Sequence, residues 1–423
     1  MSSAPIQPTS VPAPAAPAEA MVPFWALISI TWINSLGSGL LWSGVPFVTE
    51  GQYGFTKAQN LLLALVESVL YVVVAFSAGP LMRAYARKGL TARGWLAGVF
   101  VVQLVSSCLV LLGLWGVVVG ACLLSVVGAA LWPVMESYLS SGRHGHDMRR
   151  AIGVFNVAWM SATGAALLLM APFTGTPAAA YSLLALLPVS VASLALLRAF
   201  PRQPAPHQPD EHHTHVPPGY GALLRASRFI LPVSYVFISV LGPVLPYRMK
   251  ALELEEWTKT PLTSLWMFAR MGMVVLLAYY PFWHGKWSTI AVGVVLLAGG
   301  FGCAMLAPSA PVLVVGLAAF GIGHGILYYA SLYYAMAVGS AAVDAGGVFE
   351  ALIGVGYVIG PLAALAAGMS ATGAGSDGQG QATLTLTVSC VAALGLTPAA
   401  WIWLRRPRHG GSVGAASPRR PHA

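Results

Sequence analysis

Charge is what this sequence has least of. Only 8% of its 423 residues are Asp, Glu, Lys or Arg, 57% are hydrophobic, and the mean hydropathy is +0.74. Soluble domains carry about 25% charged residues, so a water-soluble fold is excluded and an integral membrane protein is expected. The acidic sign is the rarer: 13 Asp and Glu against 22 Lys and Arg leave +9. In a soluble protein that excess would suggest nucleic acid. Here the cations sit in short connections between apolar runs, membrane topology accounts for them, and no nucleic-acid partner is expected. Cysteine is scarce too. Cys108, Cys122, Cys303 and Cys390 each lie inside an apolar run without metal-ligand spacing, so they read as small buried hydrophobes. Residues 1–20 are rich in Pro, Ala and Ser and hold no Lys or Arg. They lack the charged start of a signal peptide and read as a disordered tail.

Motifs of soluble enzymes are also missing. There is no P-loop, nucleophile elbow or His-Glu-x-x-His. Gly321-Ile-Gly323-His-Gly325 looks like a nucleotide loop, but it lies inside an apolar span, no strand precedes it, and Ile326 follows. Neither an enzyme nor a cofactor is expected.

What is present is a series of apolar runs of at least about 18 residues, each long enough to cross a bilayer. They fall near 23–47, 58–82, 95–115, 116–140, 151–172, 179–199, 227–247, 261–283, 287–307, 311–337, 345–368 and 382–404, which makes twelve. The Leu112-Gly-Leu-Trp115-Gly116 region alone separates spans 3 and 4. Connections on one side hold Arg83, Arg87, Lys88, Arg93, Arg143, Arg149, Arg150, Arg198, Arg202, Arg225, Arg228 and Lys286, and the C-terminal tail adds Arg405, Arg406, Arg408, Arg419 and Arg420. The other side holds Lys57, Arg248, Lys250 and Lys259. Seventeen against four places both termini in the cytoplasm, with the plasma (inner) membrane as the expected location.

The expected organisation is a tail (1–22), a six-helix bundle (23–199), a polar linker (200–226), a second six-helix bundle (227–404) and a basic tail (405–423). The linker is rich in Pro and His (His207, His212, His213, His215) and cannot bury a core. A solvated His cluster without Cys partners is not read as a metal site. The halves carry a partial repeat. Ile152-Gly153-Val-Phe155-Asn156 opens span 5, and Gly346-Gly-Val-Phe-Glu350 opens span 11, at an offset of 194 residues, so Asn156 falls opposite Glu350. The match sits where a six-plus-six duplication requires it. The fold class expected is an all-α membrane protein of two six-helix pseudo-repeats.

A charge at the bilayer centre costs about 2.5–3.5 kcal/mol, so each one retained needs a partner, water or a function. Counting along the helices gives two layers. Glu67 and Arg270 each sit about nine residues into their spans, near the midplane, with Asn34 and His324 at similar depth. Asn34 and Trp42 share one helical face, as do His324 and Tyr328. These residues outline a polar cavity in which Arg270 holds an anionic substrate group or Glu67, and Glu67 is the candidate proton carrier. The alternative is a structural Glu67–Arg270 ion pair. The second layer lies near the cytoplasmic end: Glu136, Asn156 and Glu350 at the level of Arg83 and Arg87, a candidate gate that opens when ion pairs break. Asp344 reads as a helix N-cap there. Gly356-x-x-x-Gly360 reads as a close helix contact and Pro361 as a bend.

Twelve spans, a central linker and a half-to-half repeat resemble the major facilitator superfamily over nearly the whole chain. Gly79-Pro-Leu81-Met-Arg83-Ala-Tyr-Ala86-Arg87-Lys88 is similar to that family's G-x-L-x-D-R-x-G-R-[RK] loop, matching at Gly79, Leu81, Arg87 and Lys88. Arg83 stands at the acidic position, so Glu136 or Glu350 would supply the acid for a latch. Gly356-x-x-x-Gly360-Pro361 is similar to the family's antiporter motif, which belongs in span 5 rather than span 11. The resemblance implies alternating access driven by an ion gradient, usually protons. The expectation is a monomeric, proton-coupled secondary transporter whose partners are a small organic solute, the coupling ion and the bilayer. The alternative is a non-transporting membrane receptor or scaffold.

Overall fold

The computed structural model describes residues 21–143, 145–205, 219–338, 343–370 and 377–405. The His-rich part of the linker, nearly all of both tails, and the side chains of Arg149 and Asp344 lie outside the described residues.

Among the described residues, twelve helices are long and apolar enough to cross a membrane. In chain order they are α1 (Phe24–Tyr53), α2 (Lys57–Arg87), α3 (Ala92–Leu112), α4 (Leu114–Ser140), α5 (Gly145–Met170), α6 (Ala179–Ala199), α7 (Tyr220–Ala251), α8 (Glu256–Tyr279), α9 (Trp287–Leu306), α10 (Ala310–Val338), α11 (Val343–Ser370) and α12 (Asp377–Leu404). The narrow boundary between spans 3 and 4 rests on Gly113, which takes φ +75 between a 3₁₀ turn and the start of α4. A side chain would be strained in that backbone. α7 starts earlier than the apolar run suggests, so 220–226, expected as linker, is helix. Local chemistry sets other ends: Thr56 and Gln59 form a reciprocal capping box on α2, and Thr91 caps α3.

One break is internal. α1 opens into a wide turn over Leu40–Gly44, where Val45 N–H bonds the carbonyl of Leu40, five residues back. Pro46 has no N–H to give the Trp42 carbonyl, so the regular ladder cannot close there. The chain opposite is Gly242 of α7, where a Cβ would stand 2.6 Å from the Trp42 oxygen.

α7 is the most enclosed helix, with 89% of its apolar window buried, whereas α12 has 22%. The halves meet where α2 packs on α11 and α7, and where α5 packs on α8. The repeat therefore places its two copies on equivalent inter-half contacts. The close contact expected at Gly356 and Gly360 is present: a Cβ on Gly356 would collide with the Pro232 carbonyl, and one on Gly360 with Ser239 Oγ, both on α7. The glycines of Gly321-Ile-Gly323-His-Gly325 likewise let α10 lie against Trp266 and Arg270 of α8 and Leu297 of α9. Large apolar side chains on the outside, such as Leu111, Leu112, Leu169 and Leu394, are the lipid-facing surface.

At the end of the bundle opposite the termini the halves are tied by hydrogen bonds. Lys250 pairs with buried Glu50 at 2.6 Å, and Asn60 Nδ2 donates to Tyr247 Oη at 2.9 Å. Tyr247 Oη in turn donates to the Phe55 carbonyl at 2.7 Å, and Lys57 donates to Gln381 at 2.9 Å.

Candidate substrate site

Arg270 on α8 is 1% exposed and sits between two aromatic faces. Its guanidinium carbon is 4.7 Å from the Trp159 ring centroid on α5 and 4.3 Å from that of Tyr328 on α10. A planar guanidinium suits such a sandwich, because it stacks and is weakly hydrated. Tyr235 on α7 is within hydrogen-bonding reach of it. Nε and Nη2 remain buried without a partner. The cation is thus held largely by ring faces, with the donors of Nε and Nη2 unspent.

Tyr328 Oη donates to Asn156 Oδ1 at 2.9 Å, and Asn156 Nδ2 donates to the Ile152 carbonyl of its own helix. His324, fully buried, stacks on Tyr328 at 6.0 Å and meets Tyr235 edge-on at 5.1 Å. Its Nε2 is 3.5 Å from Ser234 Oγ, and its Nδ1 has no partner. Across the half-to-half boundary, Tyr71 Oη on α2 donates to Glu350 Oε2 on α11 at 2.5 Å. Glu136 on α4 lies within electrostatic reach of Glu350, and Tyr235 and Tyr328 lie within reach of both carboxylates and of Arg270. Among the described residues no ion pair joins Arg270 to either carboxylate. Arg270 and the two carboxylates are therefore linked through shared neighbours, Tyr235 and Tyr328, rather than by direct contact.

This arrangement regroups the residues singled out in the sequence. Arg270, His324 and Tyr328 come together with Asn156, Glu136 and Glu350, so two expected layers form one. Helix counting missed this because the helices are staggered: Glu350, near the start of α11, reaches Tyr71 in the middle of α2. Glu67 does not pair with Arg270; its Oε1 is buried without a partner. Asn34 leaves the expected cavity: its Nδ2 donates to Ser193 Oγ on α6 at 2.8 Å and to the Ile30 carbonyl, within the first half. Arg83 and Arg87 are exposed at the end of α2, and neither forms an ion pair with Glu136 or Glu350 among the described residues. Trp42 lies in a separate cleft, stacked on Tyr357 at 4.5 Å. Sequence reading missed Tyr71, Tyr235 and Tyr357, and took Trp159 for packing where it stacks on Arg270. Their signal was proximity along a helix, since Tyr71 is one turn from Glu67 and Trp159 three residues from Asn156.

Two six-helix halves enclose a polar centre in which Arg270, Glu67 and Glu350 are buried, the architecture expected of a membrane transporter. The sequence matches the Major Facilitator Superfamily over residues 27–361, and the chain belongs to that family of secondary transporters. Its fold is shared by solved structures at low identity. The nucleoside transporter NupG superposes with a TM-score of 0.64 at 11% identity, covering 90% of this chain and 98% of that one. A bacterial homologue of the human lysosomal transporter Spinster gives 0.65 at 14%, covering 90% and 97%. A structure described for proton dependent oligopeptide transporters gives 0.64 at 13%, covering 90% and 97%. No curated protein sequence matches the chain.

Proposed function

We propose that the protein moves a small organic solute with an anionic group by alternating access, coupled to protons, with both termini in the cytoplasm of a cell whose plasma membrane it spans. The observation that carries this reading is Arg270: a fully buried cation between the halves, caged by Trp159 and Tyr328, with two N–H-bearing nitrogens unpaired. Such donors fit a carboxylate or similar planar anion. Glu136 and Glu350 share that cation's neighbourhood. An incoming anion competes with them for Arg270, and a proton on either carboxylate relieves the competition, which links solute binding to proton binding. Glu67, favoured by the sequence as proton carrier, stands outside this neighbourhood, so proton exchange is assigned to Glu136 and Glu350 instead. His324 and Asn156 position the Tyr328 ring against Arg270. The Lys and Arg asymmetry of the connections supports the orientation.

The test is uptake into proteoliposomes under an imposed pH gradient, scanning a panel of organic acids. Uptake accelerated by the gradient and abolished in Arg270→Ala is expected; Arg270→Ala transport equal to the unaltered protein removes Arg270 from the substrate site. Binding without flux would favour a receptor.

A further inference from the structure

The turn between α8 and α9 is pinned from inside the bundle. Trp283, 1% exposed, donates its indole N–H to the Leu277 carbonyl at 2.8 Å. Gly285, at φ +71, donates its backbone N–H to Tyr334 Oη at 2.9 Å. This fixes the backbone of Lys286, whose exposed ammonium has no ion pair or hydrogen bond among the described residues. Beside it, where the start of α9 lies against the end of α12, is an open groove of about 470 Å³. Lys286, Ser288 and the indoles of Trp287 and Trp403 line it, with Gly285 and Ala291, and no carboxylate is among them. Its size is that of an ordinary ligand cleft.

The surroundings of the groove give its depth in the bilayer. It lies at the end of the bundle that carries both termini, where Tyr279, Tyr280, Phe282, Trp401 and Trp403 are all 43–79% exposed. Aromatic side chains exposed together at helix ends mark the headgroup level of a membrane. α12, the least enclosed helix, leaves the groove a side open to lipid.

We propose that this groove binds the headgroup of an anionic phospholipid, with Lys286 as the partner of its phosphate. A cation with no acid beside it selects negative charge, and basic pockets between helices at a membrane surface take phospholipid headgroups. The long stem of Lys286 lets its ammonium reach headgroup level while the methylenes stay against apolar surface. Ser288 Oγ adds a hydroxyl donor for a phosphate oxygen. The two indoles, apolar in body and polar at one edge, suit the glycerol and the first acyl carbons. A soluble anion would meet the same ammonium and use neither the rings nor the side open to lipid. Arg405, at the same end, is not part of the groove. Its guanidinium carbon lies 3.9 Å from the Trp401 ring centroid, on the face of α12 away from Trp403.

The test is native mass spectrometry of the purified protein in a neutral detergent. It is titrated with dimyristoylphosphatidylglycerol, with zwitterionic dimyristoylphosphatidylcholine, and with glycerophosphate. Expected is phosphatidylglycerol bound about fivefold tighter than phosphatidylcholine, the contribution of one basic residue at a membrane surface. Glycerophosphate should bind far more weakly than either. Lys286→Gln should remove the preference between the lipids, and Arg405→Gln should keep it. Equal affinity for the two lipids overturns the proposal, as does a preference undiminished in Lys286→Gln. A preference lost equally in Arg405→Gln also overturns it, since charge at this end would then act without the groove. Glycerophosphate bound as tightly as the anionic lipid does the same, because the site would then serve a soluble phosphate. The comparison of lipids uses the unaltered chain and decides the matter even if a variant does not fold.

Discussion

Glu350 and Glu67 are both carboxylates buried between the halves, and they keep different company. Glu350 accepts a hydrogen bond from Tyr71 and shares its surroundings with Glu136, Tyr235, Tyr328 and a caged arginine. Glu67 lies one turn from Tyr71 on the same helix, yet its Oε1 meets no donor and its side chain faces a cleft. Burial is nearly the same, at 8% and 3% exposure, so burial does not distinguish them. The difference lies in what the neighbours can give. Glu350 is supplied with a donor inside the protein, whereas the Oε1 of Glu67 has none and is met by a proton or by whatever enters the cleft. The aromatic group of Trp42, Tyr71 and Tyr357, with centroids 4.5–6.1 Å apart, is the partition between the two environments.

The comparison can be broken most directly at the cation. Arg270→Lys keeps the charge but loses the planar stack on Trp159 and Tyr328, and Lys is no substitute at a stacked site. Solute uptake in proteoliposomes should fall by at least about tenfold, roughly 1.4 kcal/mol, short of the complete loss expected for Arg270→Ala. Retained uptake in Arg270→Lys would mean that charge alone suffices and the cage is packing.

Tyr71→Phe removes the donor to Glu350 and makes that carboxylate resemble Glu67. A hydrogen bond to a charged group contributes about 1.5–3 kcal/mol, so thermal unfolding in detergent should shift down. Glu67→Gln, which breaks no observed side-chain bond, should shift it by much less. Equal shifts in the two variants would erase the distinction drawn between the two sites. A separate effect, on conformation rather than on solute binding, is expected at the end opposite the termini. Tyr247→Phe deletes two hydrogen bonds that tie the halves there, each contributing about 1 kcal/mol. Distances between spin labels on the adjoining ends of α1 and α7 should shift toward an opened population, while butyrate binding persists.

Much of the fold was legible in the sequence because the bilayer leaves few choices. Each spanning segment must satisfy its own backbone, so an apolar run of sufficient length can only be a helix. Twelve such runs and a repeat between spans 5 and 11 lead to two six-helix halves. Gly356 and Gly360 were legible as a helix contact, since nothing but proximity explains bare backbone on one helical face. The candidate site was legible in part. Arg270, His324, Tyr328, Asn156 and Glu350 stand out as polar groups in hydrocarbon, whereas Asn34 looked alike and proved to be an internal tie to Ser193. Periodicity gives a residue's face, but not which helix that face meets. The aromatic residues were hidden for another reason: Trp159, Tyr235 and Tyr357 have the same apolar period whether they pack against leucine or cage a guanidinium.

By itself, then, the sequence determined the membrane class, the helices, the duplication and the scarcity of charge, because these follow from hydropathy and length along one chain. Only the tertiary structure decided which charges share a neighbourhood. The stagger between α2 and α11 brought Glu350 to Tyr71, the close approach of α8 and α10 at Gly321 and Gly325 set Arg270 against Tyr328, and the opened turn before Pro46 put Trp42 in the Glu67 cleft. Those are distances between helices far apart in the chain, and they depend on how side-chain ridges and bare glycine faces interlock rather than on any period within one segment.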